Sequence, residues 1–237
     1  MSFISESPSL FERSACPVDR KLTNYAKYVR RQPLARTLAL YELFKLQVGV
    51  KGSIVECGVH HGGGLMAWAK FSSILEPYNY RRKIFGFDTF EGFPDVTDLD
   101  RARRDMAVGA GTFKEDYDVF GELTEAIAEY DENRFLNHIP KVILVKGDAN
   151  ETIPRFLEDQ PHVLVSLLYM DFDIYQPTVT ALKHFVPRMP KGAILAFDEI
   201  NNENWPGETV ALLEQLTLRD LRVQCFEFEP NISYVQL

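Results

Sequence analysis

Val163-Leu164-Val165-Ser166-Leu167-Leu168-Tyr169-Met170-Asp171-Phe172-Asp173 is an apolar run that stops on two carboxylates, and Gly192-Ala193-Ile194-Leu195-Ala196-Phe197-Asp198-Glu199 repeats the pattern. Short runs this apolar, without alternation, read as strands buried on both faces of a parallel sheet. Neighbouring strands lie about 4.8 Å apart, so pairing of these two brings Asp171, Asp198 and Glu199 together at their carboxyl ends. Three such carboxylates repel one another unless a hard cation sits among them. Oxygen-only ligands with room left for water suit Mg²⁺ or a similar ion. The pattern points to an enzyme that activates an oxygen-bearing substrate.

Working outward, strands are expected near 53–57, 83–88 and 141–147 as well as 163–171 and 192–198, with helices near 63–76, 121–137, 150–158, 177–188 and 207–217. This alternation is the signature of an α/β fold with a doubly wound, mostly parallel sheet. Two further runs, 222–228 and 232–237, separated by Glu229-Pro230-Asn231, predict a closing antiparallel hairpin. Before the sheet, residues 1–20 read as a poorly ordered arm, followed by helices near 21–31 and 34–48 that break where Gln32 precedes Pro33. The chain thus divides into residues 1–50, a cap or oligomer contact, and residues 51–237, the main domain. Within the latter, 94–120 is too long and charged for an ordinary connection and reads as a lid-like insertion.

The first strand runs into Val55-Glu56-Cys57-Gly58-Val59-His60-His61-Gly62-Gly63-Gly64 and then a helix. Gly58, Gly62 and Gly63 let the backbone turn and approach a ligand, and the helix start attracts anionic groups. A nucleotide-type cofactor is implied, without saying which. Asp88, at the end of the second strand, is suited to accept hydrogen bonds from both ribose hydroxyls of such a cofactor. Asp148, at the end of the third, either meets an adenine edge or caps the next helix. A dehydrogenase of the short-chain type needs a Tyr-x-x-x-Lys pair after the cofactor strands, but here Tyr41 and Lys45 come before them. Methyl transfer from S-adenosylmethionine needs no such pair. The alternatives are an NAD-dependent oxidoreductase or epimerase, and a non-catalytic cofactor-binding protein.

The 237 residues include 46% hydrophobic and 25% charged residues, ordinary for a soluble domain, and carry a formal charge of −8. Nucleic acid and anionic membrane both select clustered Lys and Arg, so a small-molecule substrate is favoured over either. Cys16, Cys57 and Cys225 are odd in number and lack CxxC spacing, which predicts a reducing, cytoplasmic setting with neither a disulfide framework nor a zinc site. No apolar stretch is long enough to span a bilayer, and the N-terminus lacks the pattern of a signal peptide.

Taken together, VECGVHHGGG, FGFDTFEGFP, KGD, YMDFDIYQPTVTAL and PKGAILAFDE resemble the macrocin O-methyltransferase family, the TylF-type sugar methyltransferases of natural-product pathways. The likeness spans roughly residues 53–200, and its metal half also resembles catechol O-methyltransferase. What it implies is a class I, Rossmann-like methyltransferase fold and divalent-metal-dependent transfer of a methyl group from S-adenosylmethionine to a sugar or other polyhydroxylated metabolite. By the same resemblance Glu56 and Gly58 lie beside the methionine moiety, Asp88 on the ribose, Asp148 near adenine, and Asp171, Asp198 and Glu199 on the metal. The family's usual Asp-Asp at the fifth strand is replaced by Asp198-Glu199, and the tandem His60-His61 departs from its pattern.

The cation lowers the pKa of a bound hydroxyl, Asp171 serving as both ligand and catalytic residue. Asp173 is the first candidate base, expected on the same strand face as Asp171, with His60 and His61 as alternatives. Tyr175 and Trp205 are candidates for the acceptor pocket. Arg101, Arg103 and Arg104 form a solvated charge run or bind the phosphates of a nucleotide-linked sugar, the solvated run being the favoured reading. A homo-oligomer is compatible with the apolar positions of 34–48.

Overall fold

In a computed structural model, which describes residues 8–100 and 108–237, the apolar runs form one seven-stranded sheet. Its strands are β1 (Ser53–Cys57), β2 (Ile84–Asp88), β3 (Val142–Lys146), β4 (Val165–Met170), β5 (Ile194–Phe197), β6 (Gln224–Phe226) and β7 (Glu229–Gln236). Their order is β3-β2-β1-β4-β5-β7-β6. The first five are parallel, whereas β7 runs antiparallel to β5 and to β6. The chain starts at β1, winds outward to β3 and returns to β4 on the other side, so the strand order reverses between β1 and β4. A crevice opens at the carboxyl ends of the strands at such a point. Cys57 pairs with Met170 and Met170 with Phe197. The residues that follow, Gly58, Asp171 and Asp198, are thereby delivered side by side.

Eight helices are described: α1 (Leu10–Arg13), α2 (Val18–Thr23), α3 (Arg31–Gln47), α4 (Gly63–Leu75), α5 (Val119–Glu132), α6 (Ala149–Asp159), α7 (Tyr175–Phe185) and α8 (Gly207–Gln215). They cover both sheet faces. Val55, Phe87, Leu168 and Phe197 point to one cluster with α6, α7 and α8, while Ile54, Leu167 and Ala196 point to the other with α3, α4 and α5. Successive strand residues therefore bury on opposite faces, which is why the sequence shows runs rather than alternation. Ala39, Leu40, Leu43 and Phe44 seat α3 in the second cluster, so this helix contributes to the domain core.

The sequence expectation fails at three places. Residues 8–20 contain two short helical starts, and Ser9 forms a capping box with Glu12. No continuous helix covers 21–31: α2 ends at Thr23, a single 3₁₀ turn follows, and α3 begins at Arg31. Pro33 falls in the first turn of α3, where its missing N–H has no partner to lose. At the C-terminus the hairpin turns at Glu227-Phe228, and Pro230 lies inside β7. Its absent N–H is tolerated near the start of a strand.

Candidate active site

At the crevice, Gly58, Asp88, Gly147 and Asp148 from the ends of β1, β2 and β3 line a cavity of about 170 Å³, together with Asp171 and Asp173 beyond β4. Gly58 has φ 87, and a Cβ there would stand 1.9 Å from the Asp171 carbonyl oxygen. Only glycine allows the β1 and β4 ends to approach so closely. Asp88 accepts backbone N–H groups from Val59 (2.7 Å), His60 (2.8 Å) and Phe90 (2.7 Å), so its carboxylate fixes the glycine loop as well as facing the cavity. Asp148 caps α6 by accepting the Asn150 N–H, and it also lines the cavity. Gly62 (φ 81) turns the chain into α4, and neither it nor Gly63 lines the cavity. They shape the loop without facing its contents.

Glu56 sits in mid-strand, 2% exposed, beneath the loop. A Cβ at Gly64 would lie 2.5 Å from its Oε1, and its Oε2 has no hydrogen-bond partner. Burial pushes the Glu56 carboxyl up to about 8, against the opposing pull of Arg36. Glu56 does not itself line the cavity, and the Trp68 indole beside it also draws its carboxyl down.

The carboxylates at β4 and β5 do come together, around a residue that the sequence reading passed over. Arg36 of α3 reaches across the crevice, one guanidinium nitrogen 2.7 Å from Asp171 Oδ2 and the other on Asp198 Oδ1. Tyr169 donates its hydroxyl to the same Asp198 oxygen, with the guanidinium over its ring. Asp198 is buried. Glu199 instead accepts from the Asn202 side chain. Among the described residues, the group of three potential ligands whose atoms all lie within 4.8 Å is His60, His61 and Glu115. Asp171, Asp198 and Glu199 are thus neighbours without being closed into a tight triad.

Asp173 reaches the cluster by another route than strand alternation. The strand stops at Met170, and Asp173 adopts φ 62, a left-handed turn. Burial, then Glu199 and Asp198, raise its carboxyl to about 8. Burial followed by Asp198 raises Asp171, and burial followed by Asp198 raises Glu199. Behind them Glu208, fully buried in the first turn of α8, accepts the backbone N–H groups of Phe172, Asp173 and Glu199. It ties the β4 and β5 termini to one helix, and burial holds its own carboxyl well above the usual range. Asp171, Asp173, Asp198 and Glu199 gather around one guanidinium, and part of their negative charge is held back by bound protons. Oxygen donors in that balance fit a hard divalent cation.

The rim is built from the insertion and the glycine loop. Phe93, Phe113 and Trp205 meet edge-on or tilted with ring centroids 5.3 to 6.0 Å apart, and the first two line the cavity. Tyr175 directs its hydroxyl to Glu214, away from the cavity. Asp100 is buried and accepts the Tyr175 N–H, anchoring this part of the insertion to the start of α7. Arg101, Arg103 and Arg104 lie outside the described residues. Tyr41 and Lys45 sit on α3, where Lys45 pairs with Glu42, so they form no hydride-transfer pair at the crevice.

Strand order, reversal point and the acidic β2 terminus define the class I methyltransferase fold. Residues 38–211, well over half the chain, match the family described as macrocin O-methyltransferase (TylF), and the chain belongs to that family. It is 29% identical over 155 residues to mycinamicin III 3''-O-methyltransferase of Micromonospora griseorubida, covering 65% of this chain and 57% of that one. The chain spans little more than half the length of that relative. Among solved structures, the calicheamicin methyltransferase CalS11 superposes with a TM-score of 0.91 at 34% identity, covering 96% of this chain and 88% of the other. Another CalS11 structure, described as an apo TDP-rhamnose 3'-O-methyltransferase, gives a TM-score of 0.81 at 31% identity over 96% and 89%. The methyltransferase NovP, at 20% identity and a TM-score of 0.58 over 85% and 79%, shares the fold.

Proposed function

We propose that this protein transfers a methyl group from S-adenosylmethionine to a sugar hydroxyl, on a nucleotide-linked sugar or a glycosylated natural product, with a divalent cation such as Mg²⁺ at the carboxylates. The observation that carries the reading is one cavity lined both by the β1, β2 and β3 termini at Gly58, Asp88 and Asp148 and by Asp171 and Asp173 beyond β4. The names of the relatives, one acting on TDP-rhamnose, support a sugar acceptor. The setting is cytoplasmic, consistent with free cysteines and with the finding that no described helix is long and apolar enough to cross a membrane.

Asp88 would accept from the ribose, Asp148 and Ala149 would border the base, and the unpaired Glu56 Oε2 would take the ammonium of the methionine moiety. S-adenosylmethionine supplies a sulfonium methyl that needs no further activation. Asp171, Asp198 and Glu199 would hold the cation, which supplies Lewis acidity that lowers the pKa of an acceptor hydroxyl. Asp173, raised to about 8, would take the hydroxyl proton, since a base titrating near working pH is the effective one. His60 lines the same cavity and is the alternative proton acceptor, with His61 one residue further from it. Glu208 orients the backbone carrying Asp173 and Glu199. Phe93, Phe113 and Trp205 offer an apolar wall against which a sugar ring can pack.

The test is a methyl-transfer assay with TDP-rhamnose and with a rhamnosylated aglycone, reading S-adenosylhomocysteine and O-methylated product by mass spectrometry. Turnover that falls by about 10²-fold or more on chelation and returns with Mg²⁺ is expected. Full activity after exhaustive chelation refutes the metal role. A thermal shift with NAD but none with S-adenosylmethionine refutes the cofactor.

A further inference from the structure

We propose that His60, His61 and Glu115 form a binding site for a transition-metal ion of the Zn²⁺ type, which fastens the segment after residue 108 to the glycine loop at the rim of the crevice. The imidazole Nε2 atoms of both histidines converge on a single oxygen, Glu115 Oε1, at 3.3 Å from His60 and 3.2 Å from His61. Two imidazoles and one carboxylate are a borderline donor set that selects Zn²⁺ or Co²⁺ over Mg²⁺. That chemistry separates this site from the all-oxygen cluster of Asp171 and Asp198.

Three features make it a built arrangement. Consecutive side chains ordinarily diverge, yet these two rings stand 4.0 Å apart because His60 takes a left-handed conformation, φ 47. A non-glycine residue held there is strained, and Asp88 helps hold it by accepting the His60 N–H. The His61 Nδ1 lies 2.6 Å from the Tyr117 hydroxyl. In the tautomer whose Nδ1–H donates to that oxygen, His61 Nε2 presents its lone pair toward Glu115 and can bind a metal, while His60 Nε2 stands within hydrogen-bond distance of the same Glu115 oxygen, a contact that an ion would replace. Metal-bound histidines are oriented by just such an outer partner. Finally, both rings are half exposed and His60 and Glu115 border the cavity, which gives an ion a way in and leaves room for a water ligand.

Cobalt titration of the chelator-stripped full chain, with excess Mg²⁺ to satisfy the oxygen cluster, tests this. One equivalent of Co²⁺ should produce visible ligand-field bands, abolished by Zn²⁺. Glu115→Gln and His61→Ala should each weaken binding at least tenfold, and Tyr117→Phe by about 10- to 100-fold. Asp171→Asn should leave the bands unchanged. Circular dichroism confirms that each variant is folded. Absence of bands, their survival in a His60→Ala/His61→Ala double variant, or their loss in Asp171→Asn overturns the proposal. A stabilising clasp that binds no cobalt overturns it equally.

Discussion

Replacing Glu56 with Gln should remove a pH dependence of stability that runs opposite to the usual acid-labile trend. Glu56 is 2% exposed and its carboxyl titrates at about 8 in the fold, against 4.5 when solvated. Between those values the folded chain keeps a proton that the unfolded chain has released. The stabilisation is fully present below about pH 4.5 and is lost as pH rises through about 8. While one proton separates the two states, the slope is about 1.4 kcal/mol per pH unit. Between pH 5.5 and 7.5 this single group should therefore remove about 2.7 kcal/mol from the folded state. Gln cannot ionise, and the neighbouring acids contribute nearly equally to both proteins. The difference between wild-type and Glu56→Gln curves isolates the one proton. Urea unfolding at half-unit pH intervals, without cofactor or metal, supplies the measurement. The wild-type curve should descend toward the variant's, or cross it, by about 2–3 kcal/mol over that range. Parallel curves would show that Glu56 is already ionised in the fold and would refute the assignment of an orphaned, protonated carboxyl.

Further outcomes follow from the same geometry. Gly58→Ala combines left-handed strain of about 1–2 kcal/mol with overpacking of about 1–3 kcal/mol against the Asp171 carbonyl; unfolding should show a loss near their total, and an unchanged midpoint contradicts the close approach of β1 and β4. Arg36→Met removes the guanidinium from Asp171 and Asp198, so calorimetry should find Mg²⁺ bound at least tenfold more tightly if the ion takes that place; weaker binding would mean that Arg36 and the metal act together. Glu208→Gln leaves fewer acceptors for three buried N–H groups and should cost about 1–3 kcal/mol, with a lower turnover number and a nearly unchanged KM for S-adenosylmethionine.

The fold was legible because strands buried on both faces have no polar positions to interrupt them. β1, β2, β4 and β5 were placed to within two or three residues of their ends, and Asp171, Asp198 and Asp88 were identified as strand-terminal. Boundaries failed where a proline sat at a position that tolerates it, as Pro33 does in the first turn of α3 and Pro230 in β7. Asp173 was assigned to the right cluster by a wrong route, since strand alternation ends at Met170 and a left-handed turn carries the chain on. Two contributors were missed altogether, Arg36 and Glu208. Each contacts residues many positions distant, 135 in the case of Arg36 and Asp171, and no local motif contains them.

A signal for both was nevertheless present. Arg36 falls on the core-facing stripe of α3 with Leu40, Leu43 and Gln47, and Glu208 shares its stripe on α8 with Ala211 and Leu212. Glu56 interrupts an otherwise apolar strand in the same way. A charge at a position whose neighbours are all buried must meet a counter-charge or a set of backbone donors, or else bind its proton. Arg36 takes the first course, Glu208 the second and Glu56 the third. Their positions run from the glycine loop after β1 to the carboxylate cluster. Burial, reinforced by neighbouring carboxylates, holds several of the acids there above their solvated pKa values. A positively charged sulfonium cofactor with its ammonium, and a divalent cation, would each relieve part of that repulsion. Binding of the two should therefore be mutually favourable, because every positive charge that enters lowers the proton affinity of the same acids and leaves more of them ionised for the next.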